Sequence, residues 1–212
     1  MAHPPLSPVA DDFHQVSPSL ALWHAYDPAS KAELFTSAVA TPDGLVLIDP
    51  IQLAPAALDQ ACSGRNIAAI AITSANHWRA AAWFARKFSA PVFAHARAAD
   101  AGAVPAFQEA RSGDKLGKLL EVLDLAGGAP GEVALAATID GVSTLIVGDA
   151  LINFPPYGFA LLPQKYCTNQ GQLRHSLGQT VPLAPKRILF AHGLPLVDKA
   201  ASKLEALLHV PA

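Results

Sequence analysis

The chain has 212 residues, of which 51% are hydrophobic and 15% charged, and its formal net charge is −2. This length and composition predict a globular protein of one domain with a sizeable core, and they exclude an intrinsically disordered chain. The small net charge gives no electrostatic basis for binding nucleic acid or an anionic membrane. No apolar run reaches the length of a membrane span and the N-terminus lacks a secretion-signal pattern, so we expect a cytoplasmic protein.

The elements can be predicted in chain order from apolar periodicity and from turn residues. Residues 1–17 are rich in proline and polar groups and predict an N-terminal arm, whereas residues 18–212 predict a single domain. Apolar runs bounded by turn signals predict strands at 20–26, 33–40, 45–50, 67–73, 90–95, 119–125, 132–138, 143–151 and 187–192. Helical spacing predicts helices at 55–62, 78–88, 172–179 and 199–208, and the aromatic, proline-rich stretch 153–170 predicts a long functional loop.

The predicted strands fall into two groups, and each group ends in alternating helix and strand. Two sheets packed back to back, with helices outside, would bury these runs on both faces. The sequence therefore predicts an α/β sandwich.

Three polar residues follow predicted strands directly or within a short loop: His77, Asp149 and His192. Side chains on loops at strand ends are a usual location for chemistry. Two imidazoles and one carboxylate suit zinc, iron(II) or manganese. Each residue also has an ordinary structural interpretation, because a His at a strand end is commonly hydrogen-bonded and an Asp commonly closes a turn.

The order of several segments resembles the metallo-β-lactamase superfamily. The matching segments cover most of residues 33–193 and read, in order, GLVLIDP, IAAIAITSANHW, APVFAH, LAGGAPGEVAL, TLIVGDAL and RILFAHG. Each segment alone is unspecific, but the ordered set is informative. The resemblance implies a four-layered αβ/βα sandwich of two mixed sheets, with the site along the edges of the two facing sheets.

The resemblance also implies a metal-binding motif, His-x-His-x-Asp-His, after the strand 67–73. Three registers are open. A register that starts directly after this strand fills the four slots with Ser74, Asn76, Trp78 and Arg79. A register anchored on the Asn-His-Trp triplet fills them with Ala75, His77, Arg79 and Ala80. A register set by the length of the following helix places His77 in the last slot and Asn76 in the Asp slot.

At most one motif His survives in any register, so most of the family's ligand set is missing. Gly127 or Gly128 stands where the next family His belongs, whereas Asp149 matches the bridging Asp and His192 the final His. Arg79 adds a fixed positive charge that would repel an ion. The sequence therefore predicts either no metal or a single divalent ion, zinc, iron or manganese, held by His77, Asp149 and His192.

The residues expected around the candidate cleft are Asn76, His77, Trp78, Arg79, Asp149 and His192. We expect Arg79 to pair with Asp149 in the space that an ion would occupy, because a buried carboxylate needs a partner.

Three functions remain open from the sequence, and catalysis itself is undecided. The first is a degenerate member of the superfamily that binds a small molecule or peptide in the cleft. The second is a single-metal hydrolase of a small ester or thioester. The third is a metal-free enzyme that uses His77, Asp149, His192 or Cys167 as acid, base or nucleophile. No nucleic acid or membrane partner is expected, and the high apolar content is compatible with a homodimer.

Overall fold

The computed structural model describes residues 8–101 and 104–209. The first strands are β1 (Val9–Ala10), β2 (His14–Ser17), β3 (Leu20–Asp27), β4 (Ala32–Thr41), β5 (Gly44–Ile48), β6 (Gln52–Leu53), β7 (Ile67–Ile72) and β8 (Val92–Ala94). The later strands are β9 (Gln108–Glu109), β10 (Lys115–Leu116), β11 (Leu120–Asp124), β12 (Val133–Ile139), β13 (Val142–Val147), β14 (Leu151–Phe154), β15 (Gly158–Leu161) and β16 (Arg187–Phe190). The helices are α1 (Pro55–Cys62), α2 (Ala81–Phe88), α3 (Gln170–Gly178) and α4 (Ala200–His209).

Two main mixed sheets form the framework. The seven-stranded sheet has the order β2-β3-β4-β5-β7-β8-β9, and the five-stranded sheet has the order β10-β11-β12-β13-β16. β5, β7, β8 and β9 run parallel in the first sheet, and β13 and β16 run parallel in the second. Two short sheets, β1-β6 and β14-β15, complete the described strands.

Side-chain alternation along the strands produces three apolar layers. In β5, Val46 and Ile48 face the second sheet and join Leu135 and Ile146 in the central core, whereas Leu47 points to the other face. Since successive side chains of a strand point to opposite faces, both faces of this strand are buried. This explains why the strand reads as a continuous apolar run.

The helices cover the two outer faces of the sheets. Leu58 of α1 and Phe84 of α2 pack on the seven-stranded sheet. Leu173 of α3 and Leu204 of α4 pack on the five-stranded sheet. The layers are therefore helix, sheet, sheet and helix, which confirms the predicted αβ/βα sandwich.

The structure differs from the predicted elements at three places. The described part of the predicted arm, residues 8–17, contains β1, which pairs with β6, and β2, which forms an edge of the seven-stranded sheet. The segment predicted as a loop contains the β14–β15 hairpin, and helix α2 begins at Ala81 instead of residue 78. Within the described ranges, none of the helices has the length and apolar character needed to cross a membrane.

Candidate functional site

The candidate site lies where strands of both sheets end. Asp49 follows β5, Thr73 and His77 follow β7, Asp149 follows β13 and His192 follows β16. β5 and β7 run parallel, as do β13 and β16, so the carboxyl ends within each pair share one edge. The sandwich then brings the two edges together.

Three potential ligand atoms converge at this edge. His77 Nε2 lies 3.2 Å from Asp149 Oδ1 and 3.3 Å from His192 Nε2. His192 Nε2 lies 3.5 Å from the same Asp149 oxygen. His77 and Asp149 are buried and His192 is partly buried. The structure therefore brings together the three residues that the sequence analysis considered for a single metal ion.

Hydrogen bonds behind both imidazoles fix their orientation. His192 Nδ1 lies 3.1 Å from the Glu33 carbonyl oxygen, which is only an acceptor, so Nδ1 carries the proton and Nε2 offers its lone pair to the site. His77 Nδ1 lies 3.0 Å from Asp49 Oδ2 and 2.8 Å from the Thr73 hydroxyl. A carboxylate or carbonyl behind a ligating His is the arrangement that raises its basicity and holds its ring.

Asp49 is a functional-site residue that the sequence analysis missed. Its carboxylate accepts hydrogen bonds from the Thr73 backbone N–H at 2.8 Å and from the Thr73 hydroxyl at 2.5 Å. Asp49 has a φ angle of 50° and Arg79 has one of 35°, and both values lie in the left-handed region of backbone conformation. Such strained residues cost about 1–3 kcal/mol each and cluster at functional sites. The signal available in the sequence was an acidic residue that ends an apolar strand in LVLIDP.

Without a bound ion, His77 is the protonated imidazole of the site. Burial disfavours its charged form, but the carboxylates of Asp149 and Asp49 outweigh burial and raise the pKa of His77 to about 10. Burial likewise opposes the charge of Asp149, and His77 outweighs it, which keeps the pKa of Asp149 below its usual range. Burial, His77 and Arg79 together lower the pKa of His192 to about 4. His77 is therefore an imidazolium between two carboxylates, and His192 is neutral.

The prediction that Arg79 pairs with Asp149 is wrong. Arg79 Nη1 donates to the carbonyl oxygens of Phe35 at 2.7 Å and Asp49 at 3.0 Å, and Nη2 donates to that of Ala191 at 3.3 Å. Backbone carbonyls at the sheet edges thus satisfy the guanidinium, and His77 takes the place of the expected partner of Asp149. Arg79 Nη2 also lies 3.5 Å from His192 Nε2, so its charge remains beside the site.

The loop after β7 brings three polar side chains to Asp149. Asn76 Nδ2 donates to Asp149 Oδ2 at 2.8 Å, Ser74 Oγ lies 3.4 Å from the same oxygen, and His77 Nε2 lies 3.2 Å from Asp149 Oδ1. The first and the third registers are both compatible with this placement, since the first puts Ser74, Asn76 and Arg79 in motif slots and the third puts Asn76 and His77 there. Trp78, expected at the cleft, does not line it, and its Nε1 donates to the Ala98 carbonyl at 3.0 Å.

Glu132 is a second residue that the sequence analysis missed. Its Oε1 accepts a hydrogen bond from the Ala150 N–H at 3.0 Å, whereas its buried Oε2 has no partner among the described residues. Burial and the nearby Asp149 raise the pKa of Glu132 well above its usual value, which favours the protonated acid. A Cβ on Gly148 would collide with the Thr73 hydroxyl and Glu132 Oε1, so glycine permits this close packing.

A cleft with two lobes opens over the site. One lobe, of about 390 Å³, is lined by His77, Arg79, Asp149 and His192 together with residues of the loop after β3. Cys167, considered as a nucleophile, lines neither lobe. Its thiol donates to the Leu162 carbonyl, and burial raises its pKa, which disfavours the reactive thiolate.

Solved structures with the same fold define the class of this protein. A beta-lactamase domain protein from Burkholderia ambifaria superposes with a TM-score of 0.68 at 18% identity, over 95% of this chain and 78% of that one. A metallo-beta-lactamase from Pontibacter korlensis gives 0.72 at 13% identity, over 94% and 99%. TTHA1623, solved in a di-iron-bound form, gives 0.62 at 26% identity, over 86% and 96%. The fold is that of the metallo-β-lactamases.

The family assignment follows from the sequence as well. Residues 14–205 match the family model described as the metallo-beta-lactamase superfamily, and the chain belongs to that superfamily. The resemblance noted from the ordered segments is thereby confirmed. Comparison with curated protein sequences gives no match.

Proposed function

We propose that this protein binds one divalent metal ion through His77, Asp149 and His192 and hydrolyses a small ester or thioester. The observation that carries the proposal is the spacing of the three ligand atoms, 3.2, 3.3 and 3.5 Å. Tetrahedral ligands bonded to zinc at about 2.0–2.1 Å lie about 3.3 Å apart. The side chains are thus already at the spacing that one ion requires, and both imidazoles have hydrogen-bonded partners behind them.

A second ion forms no part of the proposal. In the first register, Ser74, Asn76 and Arg79 fill slots of the family's motif, and the guanidinium of Arg79 lies 3.5 Å from His192 Nε2. A fixed positive charge at this distance opposes another cation. The di-iron form of TTHA1623 therefore supports metal binding by this fold but not two ions in this chain.

The chain's own residues would orient the reacting groups. When bound, a divalent ion supplies a Lewis acid and lowers the pKa of a water ligand towards neutrality. The Glu33 carbonyl and the Asp49 carboxylate hold the two imidazoles, and the Asn76 amide holds Asp149. In the overall reaction, water adds to the acyl carbon and the carbon–oxygen or carbon–sulfur bond breaks, which yields an acid and an alcohol or thiol.

A second candidate is a metal-free binding protein. The observation that favours it is the charge balance of the site without an ion. The imidazolium of His77 and the guanidinium of Arg79 balance the carboxylates of Asp49 and Asp149, and burial favours the protonated form of Glu132. Buried charges that are paired in this way need no further ion.

Elemental analysis of the untagged protein, prepared without chelators and then equilibrated with zinc, separates the two candidates. We expect about one zinc per chain in the wild type and in His14→Ala, whose His is exposed on β2 away from the site. We expect none in His192→Ala. Esterase and thioesterase assays of the loaded protein follow. No stoichiometric metal would favour the metal-free candidate, and metal retained by His192→Ala would place the ion elsewhere.

A further inference from the structure

We infer that the second lobe of the cleft is a subsite for an apolar, aryl or alkyl, acyl group of the substrate. This aromatic lobe is lined on its apolar side by Ile152, Phe154, Tyr157, Leu162, Pro163 and Tyr166. The inference rests on the proposed function, which supplies the reaction, and it specifies the class of substrate. Binding of the apolar group itself requires no metal, so it can be tested separately.

The β14–β15 hairpin builds one wall of the aromatic lobe. Because side chains alternate along a strand, Ile152 and Phe154 share one face of β14, and this face lines the lobe. Their cross-strand partners are small, Ala160 and Gly158. The hairpin therefore presents the half-buried Phe154 to the lobe, with Ile152, which is only 4% exposed, beneath it. The ring of Tyr157 packs edge-on against Phe154 with centroids 5.7 Å apart, which extends the wall.

The segment after the hairpin supplies the rest of the apolar lining. Leu162, Pro163 and Tyr166 line the lobe, and the ammonium of Lys165 lies 4.6 Å from the centroid of the Tyr166 ring. This cation–π contact favours the observed orientation of the ring. Tyr157 and Tyr166 are 55% and 59% exposed, so two large aromatic surfaces of the lobe are available to a ligand.

The aromatic lobe is continuous with the candidate site. Asn76, Asp149 and His192 line both lobes of the cleft. A substrate whose carbonyl lies at these three residues can therefore place its acyl group in the aromatic lobe. The volume of the lobe, about 400 Å³, is in the range of small-molecule sites, and its mixture of apolar walls and a polar end is typical of them. A small molecule with one apolar group and one carbonyl fits both features.

The test compares the affinities of 4-phenylbutyramide and butyramide, two uncharged amides that differ only in the phenyl group. Isothermal titration calorimetry is run on zinc-free and zinc-loaded protein. We expect the phenyl compound to bind at least about tenfold more tightly in both forms, which corresponds to about 1.4 kcal/mol. Tyr157→Ala/Tyr166→Ala should lose most of this preference. Tyr26→Ala should keep it, because Tyr26 is 53% exposed on β3 and lines neither lobe.

The outcomes distinguish failure of the subsite from failure of the proposed function. A phenyl preference of less than about twofold, or one that the double tyrosine variant retains, overturns the subsite. A preference that persists in a protein unable to bind zinc supports the subsite and refutes only the metal-dependent hydrolase. A wild-type dimer that the double variant dissociates, with no phenyl preference, would assign the aromatic surface to a second copy of the chain.

Discussion

Replacing Arg79 by Met should destabilise the protein strongly, because this side chain joins β4 to the residues that follow β5 and β16. Met keeps most of the apolar stem but removes the guanidinium that donates to the carbonyl oxygens of Phe35, Asp49 and Ala191. Hydrogen bonds from a charged donor contribute about 1.5–3 kcal/mol each, and the burial of the charge offsets part of that sum. We expect the free energy of unfolding to fall by about 3–5 kcal/mol, as when a buried charge loses its partner.

Urea unfolding of the metal-free protein, followed by far-ultraviolet circular dichroism, measures this loss. Arg86→Met is the matched control, because Arg86 is exposed on α2 and should change the free energy of unfolding by less than about 0.5 kcal/mol. Arg79→Lys should recover only part of the loss, since one ammonium cannot reproduce the fork of donors. A change of less than about 1 kcal/mol for Arg79→Met would refute the argument that these three hydrogen bonds hold the edges together.

The remaining predictions concern charge and packing at the site. Because His77 has a pKa of about 10 without metal, zinc binding at pH 7 should release one proton, and the apparent affinity should rise about tenfold per pH unit from pH 7 to 9. Calorimetry in two buffers measures the release, and zero protons would contradict the imidazolium. The raised pKa of His77 also stabilises the fold without metal, and this contribution is complete below about pH 6.5. The free energy of unfolding should therefore decrease as the pH rises towards 10. A pH dependence of the unfolding free energy identical to that of His77→Gln would disprove this. Gly148→Ala should lower the free energy of unfolding by about 1–3 kcal/mol, because the added Cβ collides with Thr73 and Glu132. Gly178→Ala is the control and should not destabilise the protein, because its Cβ would lie in open space. Equal urea unfolding midpoints for the two variants would argue against the collision.

The fold could be predicted from the sequence because its signals are local and repeated. Apolar runs such as 67–73, each followed by turn residues, fixed the strands, and their order matched one superfamily. The hairpin β14–β15 was missed because its two prolines and tyrosine read as a loop. The pairing of β1 with β6 was missed because a two-residue strand carries no periodicity.

The site was only partly predictable, because its contacts depend on backbone carbonyls that a sequence does not display. Arg79 was expected to meet a carboxylate, yet three backbone carbonyl oxygens satisfy it. Trp78 was grouped with the cleft by its position in the loop, but its indole reaches the Ala98 carbonyl instead. Asp49 and Glu132 were overlooked because both lie inside predicted apolar strands, 45–50 and 132–138, and periodicity does not reveal a single polar contact.

The contacts of Arg79 join the two sheets without a metal ion. Phe35 lies in β4 and Asp49 follows β5 in one sheet, and Ala191 follows β16 in the other, so one guanidinium contacts both sheets at the edge where the cleft opens. A metal ion in that role would be lost to chelators or under metal starvation, whereas a side chain is covalently attached and keeps its charge at every physiological pH. If the proposed ion binds at His77, Asp149 and His192, its removal should therefore leave this connection between the sheets intact.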